Sequence, residues 1–269
     1  MQLSRRVALD GVQLDEQHAQ IAIQSIQSLA PKGNAGSAAA RYGWSGSRRT
    51  GGHRESMDVV VGFSIILKKG MAEEREAALE AVNAWTGIAR SGAWLTTNMK
   101  PGRRIRVYLE EPAAMGDPRS DPQKTMSIRF RAYGVPNWQD TEPRSVTLAG
   151  GNTGSGSLEV GGNAPTCAEI RMQNISGQTM NWAEATVGTR RIRTEDVGLG
   201  AGETLIIDHD AEGLIRIRIE NGYGVSRSVM HKRTAESADD YWVNPGMAAV
   251  SFRSERACLV TALARGRYL

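Results

Sequence analysis

Apolar and polar positions along this 269-residue chain change period several times, and each change marks an element. Between Gln2 and Leu14 two short apolar runs flank Asp10-Gly11, a hairpin signal that predicts two strands. Ile21 and Ile23 alternate with Gln20 and Gln24, which predicts a third strand over 19–29, stopped by Pro31. From Pro31 to Ser56 the pattern disappears: the stretch holds six glycines, several serines and five basic residues, with Tyr42 and Trp44 as its packing side chains. Val59 to Leu67 is β-rich and almost continuously apolar, as in a strand covered on both faces. Residues 72–91 switch to a helical period, with Ala78, Leu79, Val82, Trp85 and Ala89 on one face. Acidic Glu73, Glu74 and Glu76 open this helix, Arg90 closes it and Gly92 stops it. Two strands follow, 103–109 and 126–131, with Ile105, Val107, Leu109, Met126, Ile128 and Phe130 inward and arginines outward. Pro112, Pro118 and Pro122 make their connection a loop.

A domain boundary is expected where Pro136 and Pro143 bracket a polar run, dividing the chain into 1–138 and 139–269. Beyond it short strands recur at the spacing of a β-sandwich: 146–148, 157–160, 168–173, 180–183, 204–207, 214–219, 241–243, 248–252 and 259–263. The fold class is therefore mainly β, with one α-helix in the first domain. Asn244-Pro245-Gly246 predicts a corner at which the flanking apolar runs double back. Leu259, Ala262, Leu263, Tyr268 and Leu269 tie the C-terminus into a sheet.

Composition adds limits. Hydrophobic residues at 40% and charged residues at 23% suit a globular protein, and no apolar run approaches the ~20 residues of a membrane span. Met1 to Val7 lacks the apolar core of a signal peptide, so folding in the cytoplasm and no membrane association are expected. Cys167 and Cys258 have no CxxC spacing, which argues against zinc and for buried thiols, with a disulfide between them the minor alternative. The net charge is +4, and residues 31–57 account for it with Lys32, Arg41, Arg48, Arg49 and Arg54 against Glu55. A flexible basic loop is expected there, either a solvated arm, one that orders on a partner, or a nucleic-acid contact through Tyr42 and Trp44.

Motifs for chemistry are weak. Gly151 to Ser157 has phosphate-loop glycine spacing but lacks the lysine and a following helix, so it reads as a flexible loop. Asp208, Asp210 and Glu212 imitate the start of a calcium loop, yet the position of the closing acid is Ile219; a hairpin turn is the better reading. No Gly-x-Ser-x-Gly elbow occurs. The carboxylate pairs Glu73/Glu76, Glu110/Glu111 and Asp239/Asp240 have dipole or solubility explanations, and Asn174-Ile175-Ser176 reads as a chance sequon. Neither catalysis nor a cofactor is expected.

The order of these signals resembles the distal tail proteins of long-tailed, non-contractile bacteriophages. The residues that carry it are Val7 to Leu14, the strand and helix over 57–92 followed by Gly102 to Val107, and Ile128 to Trp138. Ala201 to Asp208 and the closing Trp242 to Gly246 and Arg265 to Leu269 complete it. The resemblance implies an N-terminal ring-forming β-barrel or split-sheet domain and a C-terminal galectin-like β-sandwich. It implies a structural virion protein at the tail tip, assembled in the host cytoplasm. Its partners would be other copies in a hexameric ring, the tail tube protein, the hub or tip protein and receptor-binding or side-fibre proteins. The genome would pass through the lumen without specific recognition. In that frame Arg41, Tyr42, Trp44, Arg48, Arg49 and Arg54, together with outward Arg104, Arg106, Arg129 and Arg131, are candidate subunit or partner contacts, paired by acids on a neighbouring chain. The other reading kept is a tail-associated carbohydrate-binding module that touches the host surface.

Overall fold

The computed structural model describes residues 5–29, 56–66, 72–113, 125–133, 137–210 and 214–268. The chain divides into two compact units, Met1–Trp138 and Gln139–Leu269.

In the first unit β1 (Val7–Leu9) and β2 (Val12–Gln13) form the hairpin that Asp10-Gly11 announces, with φ of 47° and 86° at the two turn residues. β3 (Ile21–Ser28) and β4 (Ser56–Ile65) follow, then helix α1 (Ala72–Gly87) and a 3₁₀ turn over Ile88–Ser91. β5 (Ala93–Thr97), β6 (Arg103–Glu111) and β7 (Thr125–Tyr133) complete a sheet in the order β2-β1-β5-β6-β7-β4-β3. The strand β5, short and placed directly after the helix, escaped the sequence pattern. It joins the hairpin to β6, pairing with β1 on one side and β6 on the other. β4 buries Val59, Val61 and Phe63 on one face and Asp58, Gly62 and Ser64 on the other, with Val60 half-buried. The apolar stripe of α1 buries Ala78, Val82 and Trp85. Trp85 meets Phe130 edge-on at 5.9 Å, and its Nε1 donates to the carbonyl of Val12 at 2.7 Å, so one side chain ties helix, central sheet and hairpin together.

The boundary strand β8 (Trp138–Asp140) leads into the second unit, whose regular structure among the described residues is β apart from a 3₁₀ turn at Met230–Lys232. Its strands are β9 (Arg144–Val160), β10 (Thr166–Asn174), β11 (Ala183–Val187), β12 (Arg190–Thr194), β13 (Thr204–His209), β14 (Ile215–Glu220), β15 (Ser226–Ser228), β16 (Trp242–Val243), β17 (Gly246–Ala264) and β18 (Arg267–Tyr268). β17 is the spine. Its N-terminal half lies between β11 and β9 and its C-terminal half between β10 and β9, with a register shift between Arg253 and Cys258. One apolar core, including Leu158, Ile170, Ile192, Ile207, Ile217, Val250 and Val260, runs under these strands. Tyr241 is wholly buried and its hydroxyl donates to the carbonyl of Ala185 at 2.6 Å.

Several expectations are corrected. The runs 146–148 and 157–160 are the two ends of one strand, β9, as 248–252 and 259–263 are of β17. Gly151 to Ser157 is therefore strand and not a flexible loop. The glycines make room for neighbouring side chains: a Cβ on Gly154 would fall 2.5 Å from the ring of its cross-strand neighbour Phe252, and one on Gly156 would fall 2.5 Å from Cδ2 of Leu148. Large side chains from neighbouring positions fill the space that small ones vacate. The runs on either side of Asn244-Pro245-Gly246 do not pair with each other. β16 pairs with β10, whereas β17 pairs with β9 from Gly246 onward, so the corner passes the chain from one partner to another. β12 was missed because Ile192 alone among its five residues is a large apolar side chain facing the core.

Candidate assembly interface

Alternation on β5, β6 and β7 sends Leu95, Ile105, Val107, Ile128 and Phe130 into the core. It must then send Trp94, Arg104, Arg106, Tyr108, Arg129, Arg131 and Tyr133 to the opposite face. Register decides which of these meet: Trp94 stands opposite Arg106, Tyr108 opposite Arg131, and Arg131 in turn opposite Asp58 of β4.

The Trp94 ring carries two cations, with the guanidinium carbon of Arg104 4.1 Å and that of Arg106 5.8 Å from its centroid. Stacking on one quadrupole lets two like charges share a small area. Next to them Tyr108 and Tyr133 pack edge-on at 5.6 Å. Tyr108 leans over Gly92, where a Cβ would fall 2.7 Å from the ring and where φ is +91°, so glycine is required on both counts.

Charge on the rest of the face is balanced within the chain. Arg131 Nε donates to Asp58 Oδ1 at 2.9 Å, while its Nη1 lies 2.7 Å from Glu110 Oε1. Arg129 Nη1 reaches Glu111 Oε1 at 3.1 Å, and the Tyr133 hydroxyl donates to Glu110 Oε2 at 3.2 Å. The hydrogen bond to Asp58 raises the Arg131 guanidinium above its ordinary pKa, against the opposing effect of desolvation. Asp58 is buried, so its pairing is the stronger structural requirement.

Four of the ten candidate contact residues thus lie together on this face. Arg41, Tyr42, Trp44, Arg48, Arg49 and Arg54 lie outside the described residues. Arg129 and Arg131, expected to find partners on a neighbouring subunit, already pair with acids of their own chain from β4 and β6. The aromatic members Trp94, Tyr108 and Tyr133 were not singled out. Alternation in Ala93 to Thr97, between Gly92 and Asn98, is the signal that would have found Trp94.

The motifs weighed for chemistry resolve into structure. Asp208, in β13, is held by Arg216 and Arg218 of β14, and no metal-binding cluster occurs among the described residues. Asn174 is buried, with its amide nitrogen donating to the carbonyls of Gln178 and Leu199 and its Oδ1 accepting from Ser176, which removes it from any surface role. Both cysteines are free thiols. Burial pushes Cys167 up to about 12 even with Arg267 beside it, so it is protonated at neutral pH and is not an activated nucleophile. Burial likewise lowers His209 to about 4; its Nε2 accepts from the Tyr241 amide at 3.3 Å, while its buried Nδ1 has no hydrogen-bond partner among the described residues.

Two β units of this kind, the first with one helix, make a Dit-like fold. Among solved structures that share it, the SPP1 Dit protein (gp 19.1), described as a paradigm of the hub adsorption apparatus in phages infecting Gram-positive hosts, matches with a TM-score of 0.67. That match covers 98% of this chain and 99% of that one at 13% identity. A chain of the phage P2 baseplate, in its activated conformation with calcium, matches with a TM-score of 0.53 at 8% identity, covering 98% of both chains. No model of a known protein family matches the sequence, and no curated protein matches it.

Proposed function

We propose that this chain is a structural component of a phage tail, a distal tail ring adaptor that joins the tail tube to the hub or baseplate. One observation carries the reading: the whole chain, both units, follows the fold of a hub protein from end to end. A catalytic domain that shared one unit would not extend through the other. The face bearing Trp94, Arg104, Arg106, Tyr108, Arg129, Arg131 and Tyr133 is the proposed subunit contact. Aromatic and arginine side chains concentrate at the centres of protein interfaces, because each offers large contact area with few rotatable bonds or several donors. Tyr133 is 49% exposed, so contact area remains for a partner to cover. The basic segment 31–57 is proposed as a second contact with a neighbouring copy or the tube. A hexameric ring with a central hole, seen by negative-stain electron microscopy, is the expected result. A strict monomer by light scattering at all concentrations, alone and with tail tube protein, overturns the proposal.

A further inference from the structure

Residues 265–268 lie in a slot of the second unit whose walls have no room for side chains. The carbonyl of Arg267 accepts from the amides of Asn163 and Ala164 at 2.9 and 3.1 Å, and that of Gly266 accepts from the Asp140 amide at 2.9 Å. The carbonyl of Arg265 accepts from the Thr166 hydroxyl at 2.8 Å. A Cβ on Gly162, where φ is +92°, would fall 2.1 Å from the Arg267 carbonyl oxygen, and one on Gly266 would fall 2.8 Å from the backbone of Gly161. This close approach sets the Arg267 guanidinium 4.8 Å from the ring centroid of Trp242, which stands opposite Cys167 in the β10–β16 pair. Its Nη1 is buried with no hydrogen-bond partner among the described residues.

His209 reaches the same place from the end of β13. Its Nε2 accepts from the Tyr241 amide, so the proton of the neutral ring sits on Nδ1, the buried atom without a partner. Burial disfavours a second proton and Arg267 opposes it, whereas Asp240, Asp208 and Asp210 favour it. Those acids are engaged: Asp208 with Arg216 and Arg218, Asp240 with the Trp242 amide and with Arg190 at 3.8 Å, and Asp210 with the Leu214 amide. Protonation of Nε2 would turn it into a donor, remove the bond from Tyr241 and place a second positive charge near Arg267. Relief must come from the element that is held least. Tyr241 is wholly buried, with its hydroxyl on Ala185 and its carbonyl accepting from the Ala168 amide at 3.1 Å. β13 pairs with β10 on one side and β14 on the other, whereas β18 has two residues. We propose that 265–268 form an acid-operated latch: protonation of His209 expels Arg267, frees β18 from Asn163 and Ala164, and opens Cys167 to solvent. The inference concerns the second unit alone and does not depend on the assembly role.

The test uses the full chain and 4,4′-dithiodipyridine, which reacts with thiols in acid. Rates are measured across pH 6.5 to 4, divided by those of glutathione at each pH, and assigned to residues by peptide mass spectrometry. Cys167 should react faster as pH falls, by at most about 300-fold, the factor equivalent to the displacement of the His209 pKa from 6.5 to about 4. Cys258 should stay unlabelled. In His209→Gln, which keeps an acceptor for the Tyr241 amide, the Cys167 rate should stay flat. Hydrogen exchange of the parent protein, corrected for intrinsic rates, gives a second measure: protection of 163–168 and 265–268 should fall over the same range while that of β17 holds. A flat Cys167 profile in the parent, the same rise in His209→Gln, labelling of Cys258 along with Cys167, or unchanged exchange at 265–268 overturns the proposal.

Discussion

Arg216 grips Asp208 through two parallel hydrogen bonds, Nε to Oδ1 at 3.0 Å and Nη2 to Oδ2 at 2.9 Å, and Arg218 donates to the same carboxylate. Both oxygens are occupied by guanidinium donors, so a divalent cation would have to displace two arginines and then sit beside their charges. Thermal melts in calcium and in EGTA should therefore superimpose. Asp208→Ala should lower stability by about 1–2 kcal/mol in urea titrations, a figure kept small because Arg216 remains half exposed to solvent and can be hydrated when its partner is lost.

The glycines of β9 make a packing prediction. Gly154→Ala brings a methyl group against the Phe252 ring inside the core, and overpacking of this kind should cost about 2 kcal/mol. Gly222→Ala, which adds its methyl group to open space, should stay within about 0.5 kcal/mol of the parent protein. Urea unfolding of the two variants separates a packing requirement from a general need for flexible backbone.

His209 makes stability depend on pH. Its folded-state pKa is about 4, below the ordinary value of 6.5, so between those values the unfolded chain binds the proton that the folded chain excludes. Stability should fall as pH drops through that window and level off below it. The loss is on the order of 3 kcal/mol, by the conversion of pKa shift to free energy. His209→Gln, which keeps an acceptor for the Tyr241 amide, should flatten the His-dependent part of the profile. The difference between the two denaturation curves across pH 4 to 6.5 isolates this group from the carboxylates that titrate nearby.

Thiol reactivity reports on the interior. Cys258 is fully buried, and burial raises the pKa of both thiols. Ellman's reagent should leave the native protein unlabelled at neutral pH. Both thiols should react once the chain is unfolded in denaturant.

Trp94→Ala removes the ring on which Arg104 and Arg106 stack and exposes two like charges to each other. The folded monomer should lose about 1 kcal/mol, the scale of exposed cation–π pairs. Ring assembly should suffer more, because truncation of an aromatic hot spot at the centre of an interface costs about 2 kcal/mol or more, roughly thirtyfold in affinity. Light scattering beside circular dichroism distinguishes loss of assembly from loss of fold.

Periodicity was enough for the type of most elements. The Asp10-Gly11 hairpin, the two-sided burial of Val59 to Ile65, the helix from Ala72, whose expected last turn is 3₁₀ and not α, and the alternation of Ile215, Ile217 and Ile219 follow from side-chain spacing, because each is a local consequence of backbone geometry. The mainly β class and its single helix follow from the same spacing. Pairing was a different matter. Nothing local shows that Gly154 sits across from Phe252, that β16 and β17 take different partners around Pro245, or that Asp58 and Glu110 converge on Arg131 from two strands. Cys167, His209, Asp240 and Arg267 gather from positions up to 100 residues apart in the chain. Such neighbours arise when long-range registers are chosen, and register is selected by how both faces of the sheet bury together, which no short window of residues contains.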